Sequence, residues 1–205
     1  AVRDAARLED KQTELKLEGG EIELDKKVLE ALKDAFLHLL RNAVSHGIET
    51  PQEREAHGKS ASGTVWVSVI QRGSEAHITV RDDGRGFDLD RLRKSAESQA
   101  IAVSENASDA ELIDLAFWPG LTTSSELTSL SGRGVGLDVV RRQIENLQGR
   151  VSVENQPGQG SAFHFVVPVS LAMTRVLLVG VGSQRFALPL ASVDRIVRPT
   201  ATATF

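Results

Sequence analysis

A long amphipathic helix is predicted between Asp25 and Gly47, and it limits the folds open to this 205-residue chain. Aspartate is a favoured N-cap residue, and glycine is frequent just beyond a helix C-terminus. Between them the apolar side chains recur at helical spacing, which predicts one buried stripe. The stripe consists of Val28, Leu29, Leu32, Phe36, Leu39, Leu40 and Ala43.

Three polar residues occupy the same helix at intervals of four, namely His38, Asn42 and His46. Steps of four keep side chains on one helix face. One buried histidine or asparagine is usually a core polar group with a partner, whereas three on one face each need partners. An asparagine oxygen suits Mg²⁺, and a histidine with an ordinary pKa of about 6.5 can take a proton near neutral pH. The row is therefore a candidate functional site.

The composition excludes several classes of function. Lys and Arg number 24 against 28 Asp and Glu, so the formal charge of -4 offers no net basic surface for nucleic acid. The absence of cysteine excludes disulfides and cysteine-bound metals. No apolar run reaches the roughly 18 residues of a membrane span, and no signal-peptide pattern opens the sequence. We expect a soluble, cytoplasmic protein.

A second candidate site follows two predicted strands. The stretch "TVWVSVIQRGSEAHITVRD" alternates on both sides of a turn, which predicts a hairpin, and it runs into "DDGRG". Asp82 could accept a hydrogen bond from an amine such as that of adenine, and Gly84 and Gly86 would let a ligand approach the backbone. For this loop alone an ordinary turn is the preferred interpretation, since Asp and Gly are turn residues.

Two further glycine-containing stretches have features of phosphate-binding loops, and only the first is kept as a candidate. "GRGVGL" places Gly132, Gly134 and Gly136 before a predicted helix, where free backbone N–H groups bind phosphate well. Its spacing is not that of a dinucleotide-binding loop. Gly58-Lys59-Ser60 ends like a phosphate-binding P-loop, but Glu53 stands where that motif needs its first glycine. We reject the latter motif.

In their order along the chain, these motifs closely resemble the ATP site of the histidine kinase, Hsp90, gyrase and MutL superfamily. The stretches "HLLRNAVSHGIE", "FWPGLTTSSELTSLSGRGVGLDVVRRQIENLQG" and "GSAFHFVVPVSLA" further resemble the catalytic domain of CheA-type chemotaxis histidine kinases. That resemblance assigns residues 12–172 to the catalytic domain. Residues 1–11 resemble the end of a dimerisation helix, and residues 173–205 resemble the opening strands of a CheW-like regulatory domain.

The resemblance implies an α/β fold, a two-layer sandwich of a mixed β-sheet and helices (the Bergerat-type ATP-binding fold), followed by a truncated all-β fragment. It makes His38 the base that receives the proton of the incoming histidine. Ser45 departs from the family, which usually has Asp there and so gains a carboxylate at the pocket edge. The implied ATP-binding residues are Asn42 (also the Mg²⁺ ligand), His46, Asp82 (at the adenine amine), Gly84, Gly86, Arg91 (at phosphate), Gly132, Gly134 and Gly136 (at the lid base) and Ser161 (near adenine).

The activity implied by the resemblance is transfer of the ATP γ-phosphoryl group to a protein histidine, with Mg²⁺. The implied partners are a separate histidine phosphoacceptor domain, a CheW-like adaptor and chemoreceptors, and indirectly a response regulator, but no nucleic acid. The full-length protein would be a homodimer, this chain a monomer, and its location the cytoplasm beside membrane receptor arrays. Two alternatives stay open: an ATPase, which would be expected to carry Glu rather than His38, and a scaffold without turnover.

The segment 118–134 is rich in Gly, Ser and Thr and lacks periodicity. Such a segment offers little apolar surface to offset the entropy of ordering. We expect it to form a mobile loop over the nucleotide.

Overall fold

The described residues of the computed structural model, 2–121, 136–170 and 175–196, divide between two units, Ala1–Val169 and Ser170–Phe205. In the described part of the first unit, five strands form one sheet in the order β1-β2-β3-β5-β4. β1 runs parallel to β2, and the other neighbours are antiparallel. The predicted mixed sheet is thus confirmed. The strands are Thr13–Glu18 (β1), Gly63–Arg72 (β2), Glu75–Asp82 (β3), Arg150–Gln156 (β4) and Gly160–Pro168 (β5).

The helices of the first unit precede β1, separate β1 from β2 and separate β3 from β4. Two of them, α2 and α6, share one apolar core with the sheet. A second core joins α4 to the segment after α5 through Leu92, Ala96 and Ala116. The helices are Val2–Leu8 (α1), Lys26–Asn42 (α2), Pro51–Ala56 (α3), Leu89–Ser98 (α4), Asp109–Asp114 (α5) and Leu137–Asn146 (α6).

Alternation along the strands decides which side of the sheet the helices cover. In β3, Ala76, Ile78 and Val80 are buried while the residues between them are more exposed. Phe165 of β5 is 1% exposed and packs edge-to-face on Phe36 of α2, with ring centroids 5.5 Å apart. Burying such a side chain contributes roughly 1.5–3 kcal/mol, so the core fixes α2 against the sheet.

The C-terminal end of α2 differs from the sequence prediction. Asp25 caps its N-terminus as predicted, its side chain accepting from the Lys27 amide. The α-helix ends at Asn42, however, and Ala43–Gly47 form a π-helical turn in which Ile48 N donates to Ala43 O at 2.7 Å. The apolar spacing of the sequence continues through this turn and therefore gave no sign of the change.

The second unit contains an antiparallel hairpin, Val176–Val181 (β6) and Gln184–Pro189 (β7), in agreement with the predicted all-β fragment. The domain boundaries at 11/12 and 172/173 stay predictions. Most of the predicted loop at 118–134 lies outside the described residues. Within the described ranges, no helix is both long enough and apolar enough to cross a bilayer.

Candidate functional site

His38 and Asn42 form a hydrogen-bonded pair on α2, with 2.9 Å between His38 Nε2 and Asn42 Nδ2. Burial lowers the pKa of His38, Arg41 and His46 lower it further, and Asp138 opposes them. A neutral imidazole and an amide that can only donate through Nδ2 make His38 Nε2 the acceptor. The hydrogen bond therefore places the imidazole proton on Nδ1.

His46 lies one turn further on, in the π-helical turn. Its side chain is exposed by area, yet the protein around the imidazole lowers its pKa by desolvation. Lys11, Arg91 and Arg85 lower it further, while Glu9 raises it. Arg85 and Arg91 therefore lie near enough to the polar row to change the pKa of His46. Arg91 belongs to the first turn of α4.

Lys11 holds the π-helical turn from outside. Its ammonium group donates to the Val44 carbonyl at 2.9 Å, to the Ser45 carbonyl at 2.6 Å and to Glu9 Oε2 at 2.8 Å. Carbonyls at a helix C-terminus lack intrahelical partners, so a cation is favourable there. Ser45 lies beside the Glu9 carboxylate. Burial raises the pKa of Glu9, but hydrogen bonds from Lys11 and Ser45 and the charge of Lys11 lower it overall.

Asp82 ends β3 and is 4% exposed. Its Oδ1 accepts from the Gly84 amide at 2.9 Å, and its Oδ2 accepts from Ser161 Oγ at 2.7 Å. Burial raises the pKa of the carboxyl group, and these hydrogen bonds oppose the rise. The two carboxylate oxygens offer about four lone-pair sites, so the hydrogen bonds from Gly84 and from the hydroxyl and backbone of Ser161 leave capacity for a ligand amine. The structure thus brings Asp82 and Ser161 into contact at the edge where β3 ends and β5 begins.

The glycines of "DDGRG" are required for two different reasons. A Cβ atom at Gly84 would lie 2.2 Å from the carbonyl oxygen of Gly47, so no side chain fits there. Gly86 has φ +72°, a conformation that favours glycine. Arg85 N donates to Gly47 O at 2.9 Å. The end of the helix that carries the polar row is therefore joined to the loop that follows Asp82.

The glycine loop before α6 is described only in part. Gly136 is the N-cap residue of α6, and Asp138 lies in the first turn of that helix. Gly132 and Gly134 lie outside the described residues. Arg91 lies on α4. The other predicted site residues form two groups, one on α2 with its π-helical turn and one around the end of β3 with Ser161 of β5, and these two groups meet at Gly47.

Three residues that shape this site were not predicted. Asn155 holds the loop after Asp82, since its Oδ1 accepts from Phe87 N at 2.7 Å and its Nδ2 donates to Phe87 O at 3.2 Å. Gly160 has φ +109°, and a Cβ there would lie 2.0 Å from Asp82 O. Gly47 makes the junction described above. The glycines in "QPGQG" were the available signal for Gly160, because glycine is frequent where φ is positive.

Comparison with known proteins assigns a family. Residues 28–171 match the family described as histidine kinase-, DNA gyrase B- and HSP90-like ATPase. Chemotaxis protein CheA of Halobacterium salinarum is 42% identical over 200 residues, 96% of this chain and 30% of that protein. A gliding motility regulatory protein of Myxococcus xanthus is 41% identical over 201 residues, 97% of this chain and 26% of that protein.

The chain thus spans less than a third of the length of these two curated relatives. Among solved structures, the histidine kinase domain of the Erythrobacter litoralis EL346 blue-light activated histidine kinase aligns with a TM-score of 0.47 and 16% identity, over 82% of this chain and 61% of that one. The family match covers well over half of the chain. The chain therefore belongs to the histidine kinase-, DNA gyrase B- and HSP90-like ATPase family.

Proposed function

We propose that this chain binds Mg-ATP and transfers the γ-phosphoryl group to a histidine on a separate acceptor domain, within chemotaxis-type two-component signalling. One observation carries the proposal: the helix of the His38–Asn42 pair meets the loop of the Asp82–Ser161 pair at Gly47. This contact supports one common site for a pair suited to metal binding and proton transfer and a pair suited to adenine binding. Similarity to CheA supports the signalling context.

Asn42 fits a role as ligand to Mg²⁺. Its Nδ2 is engaged by His38, and within the described residues its side-chain oxygen accepts no hydrogen bond. The described residues contain no group of three or more His, Asp or Glu side chains that could hold a metal. A single protein oxygen suits Mg²⁺, which usually keeps waters and substrate phosphates as its other ligands. When bound, Mg²⁺ neutralises phosphate charge that develops during transfer.

His38 fits the role of proton acceptor because it is held neutral by burial. In this proposal its Nε2 exchanges the Asn42 amide for the proton of the attacking imidazole. Asp82 accepts from the exocyclic amine of adenine, Ser161 and the Gly84 amide orient the carboxylate, and Arg91 with His46 faces the phosphates. Gly86, Gly132, Gly134 and Gly136 supply backbone that can approach the nucleotide closely.

The test is incubation of this chain with radiolabelled ATP, Mg²⁺ and a histidine-acceptor domain. We expect phosphate on the acceptor that is lost in acid and kept in base. Asn42→Ala should remove it, whereas the exposed control Asn106→Ala should not. ATP hydrolysis without any labelled acceptor would favour the ATPase alternative, and failure to bind nucleotide in calorimetry would favour the scaffold.

The proposed partners follow from the same relatives. A phosphoacceptor domain supplies the histidine, a CheW-like adaptor and chemoreceptors bind through the regulatory domain, and a response regulator receives the phosphoryl group afterwards. We further propose that the full-length protein is a cytoplasmic homodimer at receptor arrays. Size-exclusion chromatography with light scattering would test the expectation that the 205-residue chain alone is a monomer.

A further inference from the structure

A buried arginine connects the segment after the π-helical turn to the loop after Asp82. Arg54 of α3 is 1% exposed. Its Nε donates to Ser60 O at 2.6 Å, its Nη1 to Glu49 Oε2 at 3.0 Å and to Asp83 O at 3.2 Å, and its Nη2 to Asp83 Oδ2 at 3.0 Å. A buried cation needs partners of this kind. Every nitrogen of the guanidinium group donates within this network.

Lys59 completes the network from the other side. Its ammonium group donates to Glu49 Oε1 at 2.7 Å, to Asp83 O at 3.0 Å and to Gly84 O at 2.8 Å. An ammonium group has three donors, and these three acceptors use them. Lys59, the lysine of the rejected phosphate-loop motif, thus donates to one carboxylate and two backbone carbonyls. Two cations, Arg54 and Lys59, are balanced by two carboxylates, Glu49 and Asp83.

The network acts on the peptide group between Asp83 and Gly84. The carbonyl of this group accepts from Arg54 and Lys59, and its N–H donates to Asp82 Oδ1. In a planar trans peptide the C=O and the N–H point in opposite directions. Fixing the carbonyl towards the cations therefore aims the N–H at the Asp82 carboxylate. Hydrogen bonds in a chain also polarise one another, which strengthens that donor.

The geometry points to Arg54 and Lys59 as positioning residues for nucleobase recognition, which act through the Asp83–Gly84 peptide on Asp82. The inference rests on the proposed function, in which Asp82 binds the adenine amine. Neither cation needs to touch the nucleotide. Removal of Lys59 leaves the carbonyl with only the longer hydrogen bond from Arg54, so the peptide is oriented less firmly and the Gly84 N–H holds Asp82 Oδ1 less well. The expected consequence is a loss of selectivity for adenine.

The test is calorimetry of Mg-ADP and Mg-GDP binding to the full chain, the latter by competition. In Lys59→Met we expect the ADP affinity to fall about tenfold while the GDP affinity stays, so the selectivity ratio falls equally. Lys59→Arg should restore most of the ratio. Lys33→Met, the same change at an exposed position of α2, should leave it unchanged. Partial unfolding would lower the number of binding sites and not the ratio.

A double-mutant cycle separates the failure of this inference from that of the proposed function. In an Asp82→Asn background, Lys59→Met should have no further effect on the ratio. An undiminished ratio in Lys59→Met, or an equal loss in both backgrounds, overturns the inference alone. A wild-type chain without adenine preference overturns the role of Asp82 as well. Glu49→Gln, which weakens the hold on both cations, should lower the ratio in the same direction and so provides a second variant.

Discussion

Asn42 and Asp82 each form hydrogen bonds within the protein through part of the side chain, and each side chain can accept a further bond from a ligand or metal. The amide nitrogen of Asn42 is hydrogen-bonded to His38, and the carboxylate of Asp82 accepts from Gly84 and Ser161. Such partners restrict the rotamer before a ligand arrives, which reduces the entropy lost on binding. Single substitutions at these two positions should therefore change binding or transfer more than they change stability.

For Asn42→Ala we expect phosphoryl transfer to fall about 100-fold or more, because a lost metal ligand removes several kcal/mol of transition-state stabilisation. The free energy of unfolding should change by less than about 1 kcal/mol, since alanine favours the helix. Quench-flow transfer assays and urea unfolding measure the two quantities. Near-normal transfer in Mg²⁺ would contradict the role assigned to Asn42.

We expect ATP to bind about tenfold or more tightly than GTP. The acceptor Asp82 meets a carbonyl in guanine where adenine presents an amine, and a charged group left poorly paired costs about 1.5–3 kcal/mol. Asp82→Asn should reduce the preference, and Asp34→Asn on the exposed side of α2 should keep it. Competitive titration with a fluorescent ADP analogue measures both, and equal affinities in the wild type would exclude Asp82 from this role.

The half-buried His38 predicts a pH dependence of stability. The pKa of His38 is lower in the folded than in the unfolded chain, so the unfolded state binds more protons as the pH falls below about 6.5. The free energy of unfolding should accordingly decrease on acidification through that range, and the slope should be smaller in His38→Gln. Urea unfolding between pH 7.5 and pH 5.5 measures the difference, and identical slopes would contradict it.

At the scale of elements, the π-helical turn is held in place by α1 and by Lys11, which follows α1. Val2 and Ala6 of α1 pack on the buried Val44, and Lys11 donates to two carbonyls of the turn. Short π-helical segments often occur at functional sites. Here the turn connects Asn42 to Gly47, which contacts the loop after Asp82. The geometry of the turn therefore sets the direction of the His46 side chain relative to that loop.

Lys11→Met should destabilise this turn more than the rest of the first unit. Two carbonyls lose a charged donor, which costs about 1–3 kcal/mol. Hydrogen exchange should accelerate most at the amide of Ile48, whose donation to Ala43 closes the turn. The same substitution at exposed Lys33 provides the control. Unchanged exchange at Ile48 would show that Lys11 does not hold the turn.

The regular elements were predictable from the sequence because they follow local patterns. The alternation in β2 and β3 and the stripe on α2 gave the strands, the hairpin and the helix face. Contacts between distant residues were not predictable: the Asn155 side chain is bonded to Phe87, and Gly47 faces Gly84 across a gap with no room for a side chain. The role of Lys59 was missed for the same reason, since its three acceptors lie in two other segments.

At the scale of the whole molecule, the chain carries five histidines whose surroundings bear on self-phosphorylation. His38 and His46 belong to the candidate site, and His77 and His164 lie within β3 and β5. His57 follows α3, with its Nδ1 2.7 Å from Glu53 O. Strand residues cannot travel to a nucleotide without loss of the sheet. Under the proposed function we therefore expect the accepting histidine to be supplied by another polypeptide.

We expect the 205-residue chain alone to acquire no acid-labile phosphate from ATP. Added acceptor domain should become phosphorylated at a rate proportional to its concentration, because an untethered encounter lacks the high effective concentration of a linked domain. Phosphate analysis by mass spectrometry after incubation with ATP tests the first statement. Stoichiometric phosphate on the chain itself would contradict it, and His57→Asn would then identify the position.

The π-helical turn gives this site room for a change in chain length. A π-helical turn closes i to i+5, one residue more than an α-helical turn. Deleting one residue between Ala43 and Gly47 would therefore let Ile48 close on Ala43 as an ordinary α-helical turn, with the chain on both sides in its present place. Loss of Val44 or Ser45 would put His46 three residues after Asn42 instead of four, while Gly47 would still meet Gly84. A one-residue gap in this turn is thus compatible with the same junction between the helix and the loop after Asp82.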